Sequence, residues 1–391
     1  MKKIAFFVQW MLCGGVENAL IALSERLVDM GNDVTIYVIV KKGDFIKKIP
    51  QNVLLKEIPM NSSIRRSIPV GGTKISVREC IDQHKYVNAA RFVAKHVINK
   101  NQFAELNVKL DKVPELDEEY DIAVNFHMHS PFLVWYLSER VSATKKYTWI
   151  HNDFETSCYD IVKLKKYLNC VDQFFTVAQK LKNEFIMRFP MFESKTQVAL
   201  NIVPVEEIRK KGNEFYPVEY KCTSEIKLLT VGRLEEQKGY DIALIVCEKL
   251  KEKGISFKWF VLGNGTQKEN LEKEIAKKNL NDCLYILGTR MNPYPYFKNC
   301  DIYVQTSRHE GYVTTVTEAK IFNRPIVTTD VSGAREQLID GVNGEIADID
   351  ADSIYESVSK LIKSQEIRDK YMKNLSDQDM SYDVEWLKMF M

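Results

Sequence analysis

The chain opens on an apolar run at residues 4–8, then a glycine pair, Gly14-Gly15, then apolar residues at helical spacing over 17–30. A Gly-Asn-Asp turn at 31–33 leads into a second apolar run at 34–40. Runs without polar alternation predict strands covered on both faces, so strand, helix and strand in this order predict a βαβ unit of a parallel sheet. Short strands are predicted again at 121–126 and 146–150. Each leads into polar, histidine-bearing sequence: His127 and His129 after the first, His151-Asn152-Asp153 after the second. Strands at 171–177 and 196–200 complete the series, and the intervening Ile64-Arg65-Arg66 and Gly71-Gly72 segment predicts a long loop.

From 201 to 224 the periodicity breaks, Pro204 and Pro217 appear and charges cluster, which predicts the linker. A second series follows, with strands predicted at 226–231, 258–262, 284–287, 302–305 and 324–328 and with helices at 241–253 and 270–278. Each half therefore reads as a doubly wound α/β domain, with ligands expected at the carboxyl ends of its strands and one cleft expected between the halves. The closing stretch, 382–391, again places apolar residues at helical spacing.

A chain of 391 residues is too long for one ordinary core and fits two domains. Hydrophobic residues at 45% and charged residues at 28% exclude a collagen-like or largely disordered chain. The 55 Lys and Arg against 53 Asp and Glu leave a net charge of +2, which excludes a bulk field for nucleic acid. Any bound phosphate must be held locally. The eight cysteines show neither C-x-x-C spacing nor a patterned histidine pair, so no zinc site or redox dithiol is predicted. Cys247 and Cys300 sit in apolar sequence, where a reduced thiol packs as a small hydrophobe, and a reducing cytoplasm is the expected location. Gln9 interrupts the first apolar run and no small-residue cleavage site follows, so the run reads as a buried strand and not a signal. No stretch of 18 apolar residues predicts a membrane-spanning helix.

Gly14-Gly15 follows a strand and opens a helix, so backbone N–H groups there can approach an anion; a tight turn required by the fold is the alternative. Residues 263–268 lack the third glycine of G-x-G-x-x-G, and no G-x-x-x-x-G-K-[ST] occurs. After the strand at 226–231 come Gly232-Arg233 and Lys238-Gly239. Two cations at a strand's carboxyl end can clamp a diphosphate, or can pair with Glu235 and Glu236 in a solvated loop. Glu318 stands eight residues after Glu310, roughly 12 Å along a helix that rises about 1.5 Å per residue. A helix starting near Tyr312 leaves the N–H groups of 311–314 between the two carboxylates, where its dipole favours an anion, and Thr314, Thr315 and Thr317 add hydroxyls. A capped helix with one Glu in its first turns is the alternative.

Taken in order, these segments resemble a retaining glycosyltransferase of family 4, a group of GT-B enzymes that use nucleotide-sugar donors without a metal. The resemblance rests on Gly14-Gly15-Val16-Glu17, the His-bearing Trp149-Ile150-His151-Asn152-Asp153, Asn201-Ile202-Val203, and Gly232-Arg233 with Lys238-Gly239. It continues through Gly263-Asn264-Gly265, Glu310 and Glu318 as E-x7-E, Gly333 with Glu336, and Gly341 with Gly344, and so covers essentially the whole chain. It implies an α/β, GT-B fold of two doubly wound Rossmann-like domains facing a central cleft. The acceptor-side domain spans 1–204, the nucleotide-sugar domain 205–375, and a terminal helix over 376–391 returns to the first domain.

The resemblance also implies roles. Arg233 and Lys238 bind the donor diphosphate and stabilise the leaving group, Glu310 contacts the donor sugar, and Glu318 binds the ribose. Backbone at Gly311, Tyr312, Val313 and Thr314 holds phosphate beside Gly14 and Gly15, Gly263 belongs to the donor site, Leu287 lies near the base, and His151 faces the sugar. The catalytic set is then His151, Arg233, Lys238 and Glu310. The implied donor is a nucleotide-diphosphate sugar, a UDP-hexose or UDP-N-acetylhexosamine above all. The implied acceptor is a glycan or lipid-linked precursor of a cell-surface polysaccharide, with no cofactor, no metal and no nucleic acid. Negative charge builds on the departing diphosphate as the sugar ring becomes positive, and Arg233, Lys238 and a helix N-terminus answer the first. Retention follows from front-face attack, in which the leaving phosphate oxygen helps deprotonate the acceptor. Tyr312-Val313 departs from the Phe and then Gly or Pro of many relatives, which bears on sugar identity.

Two readings stand for the basic residues at 41–48 and Ile64-Arg65-Arg66: a surface resting on anionic lipid at the inner membrane face, or solvated loops. His127 and His129 likewise either touch the acceptor or are satisfied strand-end groups. The rival readings are a glycosidase, a GT-B sugar-nucleotide epimerase or phosphorylase, and a non-catalytic sugar-binding relative. The first needs Glu310 and Glu318 as acid and base about 5–9.5 Å apart and leaves Arg233 and Lys238 unexplained.

Overall fold

A computed structural model of the chain describes residues 1–12, 14–65, 68, 90, 110–151, 164–378 and 384–391. Cys13, Arg66, Gly71, Gly72, Cys80, Asn152, Asp153, Cys158, Tyr382 and Asp383 lie outside the described residues. The chain divides into two compact units, Met1–Ile202 with Asp383–Met391, and Val203–Tyr382.

The first unit is built on a seven-stranded sheet in the order β3-β2-β1-β4-β5-β6-β7. Its strands are β1 Lys3–Val8, β2 Asp33–Val38, β3 Val53–Glu57, β4 Tyr120–Asn125, β5 Ala143–Ile150, β6 Gln173–Thr176 and β7 Thr196–Val198. Every pairing is parallel, with Ile4 beside both Val34 and Ile122 in register. β1 therefore lies between two strands and under helices, which is why Ile4 to Val8 carry no polar residue and are fully buried. β3 was not expected from the sequence. It is an edge strand whose Leu54 is 57% exposed, so its pattern lacks the buried-strand signature.

Helix Pro131–Glu139 was also missed, although Ser130 caps it by accepting from Leu133 N and Pro131 starts it. Pro131 to Leu137 are all buried, so no polar face reveals a helical period. The chain's end joins this unit as a 3₁₀ helix, Glu385–Phe390, tighter than the expected α-helical spacing. Trp386 meets Trp149 edge-on at 5.1 Å, Phe390 meets Tyr147 at 5.5 Å, and the Tyr147 hydroxyl donates to Met389 O at 3.2 Å.

The second unit holds a six-stranded parallel sheet in the order β10-β9-β8-β11-β12-β13. These strands are β8 Ile226–Val231, β9 Phe257–Leu262, β10 Leu284–Gly288, β11 Ile302–Gln305, β12 Ile326–Thr329 and β13 Glu345–Ala347. The segment expected to be a linker is instead helical at Val205–Gly212 and Val218–Lys221. Its Ile208 and Tyr220 pack into the second unit's core beside Phe260 and Tyr296. The charged residues that suggested a linker occupy the outer face of these helices, where Arg209 pairs with Glu206 and Lys211 with Glu207.

Cys247 and Cys300 are fully buried free thiols, and burial pushes the Cys300 thiol up to about 12. Among the described residues no helix is long and apolar enough to cross a membrane.

Candidate functional site

The carboxyl ends of β8, β9 and β10 are knitted together by backbone. Gly232 N donates to Leu262 O and Gly263 N to Gly288 O, both at 3.0 Å. A Cβ on Gly263 would sit 1.8 Å from Gly232 O, so only glycine permits this approach. The loop that follows β8 is fastened in turn to the end of β11. Gly239 has φ +65°, and a Cβ there would lie 2.0 Å from Thr306 O. The Thr306 hydroxyl donates to Lys238 O at 2.9 Å, Arg308 N to Gln237 O at 2.8 Å, and Gln237 Nε2 to His309 O at 2.7 Å. Arg308 adds a bidentate pair to Asp241 at 2.7 and 2.6 Å, which holds the Asp241 carboxyl below its ordinary range.

These fastenings bring Lys238 and Glu310 together. Lys238 Nζ lies 2.5 Å from Glu310 Oε1, with the two side chains only 15% and 11% exposed. The same oxygen accepts from the Ser307 hydroxyl at 2.6 Å and from Gln305 Nε2 at 3.3 Å. Gln305 Nε2 also donates to Ser307 Oγ. Behind them the buried Tyr303 hydroxyl donates to Gln305 Oε1 at 2.6 Å and lies 2.6 Å from Thr315 Oγ1. One carboxylate oxygen is thus fully engaged by the protein. Oε2 meets no hydrogen-bond partner among the described residues and remains for a ligand. Arg233, on the same loop, is exposed.

The helix predicted after Glu310 spans Thr314–Ile321, with Val313 as its N-cap and no side-chain cap of its own. The N–H groups of Thr314 and Thr315 meet no acceptor among the described residues, which leaves an electropositive helix start three residues after Gly311. The threonines divide. Thr315 turns to Tyr303 and Thr317 to Gln337, so of the three hydroxyls expected to face a ligand two serve the interior. Gly311 and Val313 are buried and Tyr312 is half-buried. Glu318 lies close to the Tyr294 hydroxyl, whose pKa is pushed up by burial and by that carboxylate. Leu287 packs against the second unit's core.

In the first unit, Gly14 is the N-cap of helix Gly15–Asp29, and the buried Glu17 folds back over it. His151 follows β5 and is buried, its ring 4.5 Å from Phe126 and stacked on Trp149 at 6.3 Å. Burial holds its pKa well below the ordinary value, with His127 and His129 adding to the effect. His151 Nε2 has no hydrogen-bond partner among the described residues, and neither do Asn125 Nδ2 and Asn201 Oδ1. His127 has a structural task, since its Nδ1 accepts from Gln9 N at 3.1 Å and ties the end of β1 to β4.

Sequence reading missed Gln305, Ser307, Tyr294 and Gln337. The signal available was a glutamine at the end of an otherwise apolar strand, which is costly to bury unless its amide is fully bonded.

Residues 214–378 match the family described as "Glycosyl transferases group 1". An uncharacterized glycosyltransferase of Methanocaldococcus jannaschii is 28% identical over 210 residues, covering 51% of this chain and 52% of that protein. The N-acetylgalactosamine-N,N'-diacetylbacillosaminyl-diphospho-undecaprenol 4-alpha-N-acetylgalactosaminyltransferase of Campylobacter jejuni is 25% identical over 202 residues, covering 51% and 53%. The chain therefore spans about half the length of these curated relatives. S. aureus TarM, solved as a mutant in complex with fondaparinux, alpha-GlcNAc-glycerol and UDP, superposes with a TM-score of 0.70 at 15% identity, covering 100% of both chains. Two Rossmann-like parallel sheets and this likeness give the GT-B fold.

Proposed function

We propose that the chain is a retaining, metal-independent glycosyltransferase that moves a hexose or N-acetylhexosamine from a UDP-sugar to a glycan or lipid-linked acceptor. The observation that carries this reading is the Lys238–Glu310 pair, which leaves one carboxylate oxygen open beside an uncapped helix start. Lys238, Arg233 and the N–H groups of Thr314 and Thr315 receive the diphosphate and stabilise the charge that builds as the glycosyl bond breaks. Glu310 Oε2 accepts from a donor-sugar hydroxyl, and Glu318 with Tyr294 takes the ribose. His151, held neutral by burial, offers an unpaired ring nitrogen to the sugar. Gly14 and Gly15, at the start of helix Gly15–Asp29, offer backbone N–H groups to an anion.

A nucleotide donor is supported by the UDP present in the TarM complex. A lipid-linked acceptor is supported by the undecaprenol compound named for the C. jejuni relative. The exposed Lys41, Lys42 and Lys47 supply the charge for peripheral contact with an anionic membrane from the cytoplasmic side.

Arg233→Ala and Lys238→Ala, assayed for donor turnover, are each expected to lose about 100-fold or more. Activity within a few-fold of wild type contradicts the assignment. EDTA is expected to leave turnover intact, and proton NMR of the product is expected to show the donor's anomeric configuration. Strict dependence on added Mg²⁺ or an inverted product contradicts those parts.

A further inference from the structure

The Thr314–Ile321 helix begins at a valine, which has no side-chain acceptor to cap it. Its start is instead organised from 24 residues further along the chain. Gln337 is 3% exposed and ends the short helix Ala334–Gln337. Its Oε1 accepts from Val313 N at 3.2 Å, while its Nε2 donates to Val313 O and to Thr317 Oγ1, both at 2.9 Å. Val313 O is also the carbonyl that receives the first helical bonds, from Val316 N at 3.0 Å and Thr317 N at 3.3 Å. One amide thus grips both backbone groups of the N-cap residue and the first turn above it. Lys320, whose pKa burial lowers, holds the same segment by donating to Gln337 O at 2.8 Å.

With Val313 N–H taken by Gln337, Thr314 and Thr315 supply helix-start donors that meet no acceptor among the described residues. We propose that Gln337 is a positioning residue that selects which N–H groups this helix start presents to the donor's diphosphate. This rests on the donor site described under the proposed function. Gln337 touches neither substrate nor reacting atoms; it acts through Val313. Removing its amide leaves a buried N–H and a buried hydroxyl unpaired, so the first turn rearranges and the diphosphate meets donors in the wrong place.

The test uses the full chain and isothermal titration with UDP and with uridine. Gln337→Leu is expected to weaken UDP tenfold or more while uridine binds within twofold of wild type, because uridine has no diphosphate. Gln337→Glu keeps an acceptor for Val313 N–H, but its ionised carboxylate cannot donate to Val313 O. Its UDP affinity relative to wild type is therefore expected to recover as pH falls from about 8 to about 5.5, which a packing role would not produce. UDP affinity of Gln337→Leu within twofold of wild type, or equal losses for UDP and uridine, overturns the proposal, and so does a pH-independent deficit in Gln337→Glu. Failure of the wild-type protein to bind UDP is a different result: it overturns the UDP-donor reading, and this inference with it.

Discussion

At the carboxyl end of the second unit's sheet, Glu310 Oε1 takes three contacts from Lys238, Ser307 and Gln305, whereas at the carboxyl end of the first unit's sheet three buried polar atoms go without. His151 Nε2, Asn125 Nδ2 and Asn201 Oδ1 sit after β5, at the end of β4 and after β7, each with no partner among the described residues. A polar atom left unpaired in a protein interior costs about 1–3 kcal/mol, so the first arrangement is stable as built and the second gains when a partner arrives. The second unit holds a carboxylate whose orientation is fixed by three neighbours. The first holds buried polar atoms that the described residues leave without a hydrogen-bond partner.

The contrast breaks most sharply at Glu310. Glu310→Gln keeps an acceptor for Ser307 but strips the partly buried Lys238 of its counter-charge, and kcat/KM is expected to fall by about 10²–10³, or roughly 3–4 kcal/mol. Steady-state kinetics showing wild-type turnover would mean that the pair is structural only. Next comes Gly239→Ala, which forces a Cβ toward Thr306 O at positive φ. A loss of about 2–3 kcal/mol in urea unfolding is expected, together with weaker donor binding, since the same turn carries Lys238. An unchanged unfolding midpoint would show that the loop is not fastened to β11.

Ser307→Ala removes one of three contacts to Oε1 and is expected to cost about 1 kcal/mol and up to roughly tenfold in kcat, because Lys238 and Gln305 remain. A loss as large as that of Glu310→Gln would mean that the serine, not the lysine, orients the carboxylate.

The smallest effect tests the first unit. Burial lowers the pKa of His151, so the unfolded chain binds its proton more readily than the folded one. Wild-type stability contributed by this group is present above the unfolded value of about 6.5 and is lost as pH falls below it. His151→Gln, which cannot titrate, is expected to flatten the decline of the urea midpoint between about pH 7.5 and 5.5. An unaltered slope would assign that pH dependence to other groups.

Much of this was legible in the chain because it is local. The strands that frame both sheets are short apolar runs, and the loops that bear Lys238, Glu310 and His151 follow those runs directly. Proximity in the fold was not legible. Lys238 and Glu310 are 72 residues apart, and nothing in either loop alone says that they pair. Gln337 reaches Val313 from another segment altogether, so its importance shows only once both helices are packed. Thr315 and Thr317 were expected to face a ligand because threonine is a weak helix former, yet their hydroxyls satisfy Tyr303 and Gln337 inside the domain. Helix Val205–Gly212 hid in a charged stretch because only one side of it is buried, with Ile208 as the apolar anchor.

The most direct test is release of nucleoside diphosphate from a panel of UDP- and GDP-sugars incubated with the wild-type chain and with Lys238→Ala. Wild type is expected to release UDP from one sugar nucleotide well above the others, with the release reduced at least 100-fold in the variant. Release from none of the panel, or release undiminished in Lys238→Ala, would contradict a diphosphate receptor at the carboxyl end of the second unit's sheet.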